Sequence, residues 1–63
     1  MNEAMTAERL LLRPAEAAKR LGIGRTKVYE LMRSGELRSV KIGAARRVSA
    51  TALAEFVAAL DAA

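Results

Sequence analysis

The side chains able to do acid–base or metal chemistry are few in this chain and poorly spaced for it. Among the 63 residues there is no cysteine and no histidine, which removes a disulfide framework, a Cys/His zinc site and the commonest general base. The seven acids, Glu3, Glu8, Glu16, Glu30, Glu36, Glu55 and Asp61, are scattered along the sequence. No Gly-rich loop stands ready to cradle a phosphate. No catalytic residues, no metal ligands and no cofactor are expected, and the chain reads as a non-enzyme.

What remains is the chemistry of cations. From Lys19 to Arg47, nine cations (Lys19, Arg20, Arg25, Lys27, Arg33, Arg38, Lys41, Arg46 and Arg47) stand against Glu30 and Glu36, a local balance of +7 within a chain of +4. Charge concentrated in this way points to a polyanionic partner rather than to an evenly solvated surface. With one Tyr and one Phe, there is little aromatic surface on which unpaired RNA bases could stack, so double-stranded DNA is the expected partner. Arg25, Thr26 and Lys27 fall at the start of a helical pattern, where recognition helices carry their base-reading side chains. An arginine there can bond guanine O6 and N7 together, and cations at a helix N-terminus oppose the dipole, so helix stability does not account for them. Tyr29 can donate to a phosphate or pack against a neighbouring element, and Arg33 can reach a phosphate or serve as a cation in the last turn. Arg46 and Arg47 lie on a strand pattern and must point to opposite faces, so at least one is expected at the DNA. Lys41 is a further candidate, and Lys19 and Arg20 are either backbone clamps or a solvated helix face. Glu30 can accept from cytosine N4 or form an ion pair with a neighbouring cation.

The elements that position these residues are legible in the spacing. Ala17 to Gly35 reads as a helix, a tight turn at Gly22 and a second helix, a pair crossing closely through a short connection. Pro14 opens the first helix, which extends to Leu21, with Glu16 near its positive end. The second covers Arg25 to Ser34 with Val28, Leu31 and Met32 as its buried stripe, and Gly35 caps it. From Glu36 to Val48 the pattern alternates, with Val40 and Ile42 apolar and a tip at Gly43-Ala44-Ala45, as in a small β-hairpin. Ser49 is a natural N-cap for a third helix from Ala50 to Ala62, with Leu53, Phe56, Val57 and Leu60 expected to close the core. Residues 9–13 form an edge strand or an extended lead-in, and residues 1–8 show no periodicity and are expected to be a flexible N-terminus. The fold class is mainly α with a small β-hairpin: a single winged helix-turn-helix domain over 9–63, three helices plus a two-stranded wing. No stretch is long and apolar enough for a membrane span. A soluble, cytoplasmic protein without an attached sensing domain is expected.

The segment PAEAAKRLGIGRTKVYELMRSGELRSVKIGAARRVSATALAEFV resembles the excisionase family of small winged helix-turn-helix DNA-binding proteins, relatives of the DNA-binding domain of MerR-type regulators. The resemblance rests on Glu16–Gly22, on the VY…L…SGEL block of Val28–Leu37, and on the V-x-I-G…R-x-V pattern of Val40–Val48. Two positions depart from the family pattern: Gly24 where a Ser or Thr N-cap is frequent, and Arg46 where an aromatic is common. The resemblance implies that the second helix enters the major groove and that the wing reaches an adjacent minor groove or the backbone. It further implies sequence-specific binding and bending of attachment-site DNA that directs excision by a phage or element integrase, as a recombination directionality factor; because a domain this small covers little DNA, further copies of the protein are expected to bind cooperatively alongside. A transcription regulator of the same fold, and a protein-interaction adaptor using the third helix, are the alternatives.

Overall fold

The computed structural model describes residues 10–63, so the expected flexible segment 1–8 lies outside the described residues. In chain order the elements are β1 (Leu11–Leu12), α1 (Pro14–Leu21), α2 (Arg25–Ser34), β2 (Val40–Ile42), β3 (Ala45–Ser49) and α3 (Ala50–Ala62). The three helices have the bounds the periodicity implies. Pro14 supplies the first helical residue of α1, and the Glu16 carboxylate accepts from the Arg13 backbone N–H at 2.9 Å, which satisfies a donor the helix itself leaves open.

The turn between α1 and α2 is made by backbone chemistry. Gly22 adopts φ 74°, ψ 30°, a left-handed conformation that carries no steric penalty in glycine. The Ile23 N–H then reaches back to the Ala18 carbonyl at 3.0 Å, closing the end of α1. Gly24 stands at the N-cap of α2 in extended geometry with no side-chain cap, a loss of a few tenths of a kcal/mol relative to Ser or Thr. At the other end of α2 a second left-handed glycine, Gly35 at φ 87°, turns the chain. Ser34 Oγ donates to the Leu31 carbonyl, and the Leu37 N–H donates to the same carbonyl at 3.1 Å. Those bonds fold Leu37 back under the helix pair, where it is completely buried.

The sheet is antiparallel with strand order β1-β3-β2. The wing expected as two strands is therefore part of a three-stranded sheet, with β1 as an edge strand. Leu12 pairs with Val48 and Leu11 with Ser49, and the Ala50 N–H donates to the Leu10 carbonyl. Leu12 thereby enters the core beside Val48. Ser49 Oγ accepts from the Ala52 N–H at 2.9 Å and starts α3.

The core consists of Leu12, Ala17, Ala18, Val28, Met32, Leu37, Val48, Ala52 and Leu53, with Leu21, Leu31 and Phe56 packed partly against it. One apolar expectation is corrected. Val57 and Leu60 do not close the core: they are 40% and 59% exposed, because α3 turns Ala52 and Leu53 fully inward and packs Phe56 partly against the core. Val40 and Ile42 are also exposed. Val48 is buried, Arg46 shares its face, and Lys41 pairs with Arg46; alternation then sends Val40 and Ile42 to the outer face.

Because Leu37 fills an enclosed site and Leu60 does not, the two should respond differently to truncation. Leu37→Ala is expected to lower unfolding free energy by about 2–5 kcal/mol, and Leu60→Ala to change it by less than about 0.5 kcal/mol. Urea unfolding followed by circular dichroism measures both, and equal losses would contradict the burial pattern.

Candidate nucleic-acid interface

The helix pair buries Ala17 and Ala18 on α1 and Val28 and Met32 on α2, and that packing decides which side of α2 is offered to solvent. At about 100° per residue, the face opposite Val28, Leu31 and Met32 carries Thr26, Glu30 and Arg33, all exposed. Arg25 and Tyr29 lie on the flank toward the wing. Lys27 lies on the other flank, where it lines a groove with Leu21, Ile23, Leu31, Glu36, Phe56 and Leu60. Its ammonium stands 3.7 Å from Glu30, with both side chains more than half exposed.

The wing lies beside α2. Tyr29, Met32 and Arg33 of α2 and Arg46 of β3 line one cleft of about 190 Å³. Arg46 is held there by a hydrogen bond from Nη1 to Ser39 Oγ at 3.1 Å. Lys41, paired with Arg46 across the ladder, projects from the same face. Arg47 points to the opposite face beside Val40, and its guanidinium donates to the Arg46 carbonyl at 3.0 Å. The expected opposition of Arg46 and Arg47 is thus present, and it is Arg46 that turns toward α2.

Of the eight candidate residues, the structure brings Tyr29, Arg33 and Arg46 together and sets Lys41 beside them. Arg25 and Thr26 occupy the first turn of α2, and all of these are solvent-accessible. Lys27 and Arg47 stand apart, one on each margin. Two further residues shape the surface. Ser39 orients Arg46; its signal in the sequence was the hairpin register, which sets Ser39 diagonally from Arg46 once the turn is placed at Gly43-Ala44. Arg38 is drawn to α3 by Glu55, with Nη2 to Oε1 at 2.6 Å, which balances one cation of the basic segment.

Among the described residues there is no cluster of three or more His, Cys, Asp or Glu able to hold a metal, and no helix is long and apolar enough to cross a membrane. The exposed surface presents guanidinium, ammonium and hydroxyl donors from a helix and an adjoining strand, groups suited to a ligand rich in anionic acceptors.

Comparison with known proteins gives the surface a context. Residues 11–61 match the family model described as a helix-turn-helix domain. A protein from Saccharopolyspora erythraea described as a probable excisionase is 54% identical over 52 residues, which are 82% of this chain and 53% of that relative; the chain thus spans about half that relative's length. A protein from Streptomyces ambofaciens described as an excisionase is 47% identical over 47 residues, 75% of this chain and 76% of the relative. No solved structure gives a significant match.

The Arg38–Glu55 contact is short but about 60% exposed on each side, so screening limits its worth. A double-mutant cycle with Arg38→Ala and Glu55→Ala is expected to return a coupling below about 1 kcal/mol. A value of several kcal/mol would show the pair to be shielded from water.

Proposed function

The chain belongs to the excisionase family of helix-turn-helix proteins, and from that premise we propose that it binds double-stranded DNA sequence-specifically and acts as an architectural factor in excision. Its α2 lies in the major groove, and the wing contacts the adjacent minor groove or backbone. The observation that carries this reading is the shared cleft in which Arg46 of the wing meets Tyr29 and Arg33 of α2, because it joins the two elements into one continuous cationic surface. Ten residues of α2 span about 15 Å, comparable with a major groove about 12 Å wide.

The residues divide by role. Arg25 and Thr26 face base edges from the first turn, and Lys27, on the outer flank of α2, meets the backbone beside them. Tyr29, Arg33, Lys41 and Arg46, gathered on the wing side of α2, hold phosphates along that edge of the groove and so set the register in which the bases are read. Arg47 reaches the backbone from the far face of the wing. A domain that engages DNA on both sides of a helix gains contacts when the duplex bends toward it, and bending of an attachment site is how this protein would direct an integrase toward excision. Several copies on adjacent sites would supply the affinity that one small domain lacks. The protein contributes geometry and no bond-making chemistry.

For about five to seven neutralised phosphates, log affinity should fall against log salt with a slope of roughly −4.5 to −6.3. Arg46→Ala should reduce that slope by about 0.9 and weaken binding to all sequences alike, Arg47→Ala should do so less, and Arg25→Ala should relax base preference. Fluorescence titration with duplexes at several salt concentrations measures all three. Absence of duplex affinity at low salt would end the DNA reading. Purified protein added to integrase and attachment-site DNA tests the excision role: unchanged directionality with intact DNA binding would favour a transcription regulator.

A further inference from the structure

The segment Lys19–Arg47 carries two acids, and one of them stands on the crest of α2. Glu30 shares the outward face with Thr26 and Arg33, opposite buried Val28 and Met32. Helix stability does not explain it. Glu30 is the sixth residue of α2, beyond the first turn where an acid gains from the dipole. Its ion pair with Lys27 is long at 3.7 Å, with side-chain exposures of 53% and 63%, and Lys preceding Glu is the less favourable order on a helix. The dipole and the exposed Lys27 pair thus account for little of a carboxylate at this position.

On the DNA reading above, on which this inference rests, a carboxylate facing the duplex is repelled by phosphates whatever the sequence. That repulsion is offset only where a base edge donates a hydrogen bond. In the major groove cytosine presents the N4 amino group as its donor, whereas adenine sets its N6 donor beside the N7 acceptor, which repels a carboxylate. We propose that Glu30 is a specificity-determining residue that accepts a hydrogen bond from cytosine N4. Glu30 makes the basic surface selective by lowering its affinity for every sequence that lacks a cytosine at that step. Lys27, tethered loosely on the flank, exchanges Glu30 for a phosphate when DNA binds.

Selection from a pool of random duplexes tests this without knowledge of the natural site. The wild-type protein is expected to enrich one position for cytosine, with discrimination of at least about fivefold over the other bases. Glu30→Ala should lose the preference at that position, keep the remainder of the selected motif, and bind unrelated duplexes several-fold more tightly. Glu30→Gln should shift the preference toward adenine, whose N6 and N7 suit an amide. Matching far-ultraviolet circular dichroism shows that both variants are folded. Identical base preferences for wild type and both variants would overturn the role of Glu30 while leaving DNA binding intact. A wild-type protein that binds duplexes but enriches no sequence would overturn sequence-specific reading and this inference with it, whereas no duplex recovered even at low salt would overturn the DNA reading itself.

Discussion

The close approach of α1 to α2 at Ala17 and Ala18 is the contact on which the rest of the structure depends. Both alanines are buried against the second helix and its Val28 and Met32, and a larger side chain at either position would hold the helices apart. The approach works because Gly22 takes up the left-handed turn and Ile23 closes the helix end. It fixes the crossing of the two helices. That crossing in turn decides that Thr26, Glu30 and Arg33, rather than any other stripe of α2, face outward.

A second constraint acts on the wing. Leu37, Val48 and Leu12 arrive at the core from three separate segments, and each is delivered by backbone hydrogen bonds. The turn at Gly35 brings in Leu37, and the pairing of β1 with β3 brings in Leu12 and Val48. Anchoring Val48 inside also anchors the register of β3, and the strict alternation of a strand then turns Arg46 toward α2 and Arg47 away. The cationic surface is thus a by-product of core packing. A chain this small has few residues to spare for a core, and it uses one strand for both tasks.

The exposed apolar residues follow from the same economy. Ile23 and Leu60 border the groove between α3 and the helix pair, Val57 lines a second groove with Arg20 and Leu21, and Val40 and Ile42 lie on the outer face of the sheet. All five sit where an apolar residue in a larger domain would meet another layer. They mark the margins of the fold, while the charged crest of α2 and the cleft beside Arg46 lie between them.

Much of this was present in the sequence alone. The bounds of all three helices follow from Pro14, Gly22, Gly35 and Ser49 together with the spacing of apolar residues, because caps and periodicity act within a few residues of the chain. The absence of His and Cys and the concentration of cations from Lys19 to Arg47 likewise need no coordinates. Tertiary structure decided what depends on partners distant in sequence: that β1 joins the wing as a third strand, that Leu37 is a core residue while Val57 and Leu60 are not, and that Arg46 rather than Arg47 turns toward α2. Alternation says that the two arginines diverge, but it cannot say which faces the helix. That was settled by Val48, whose burial against Leu12 sets the polarity of the whole strand.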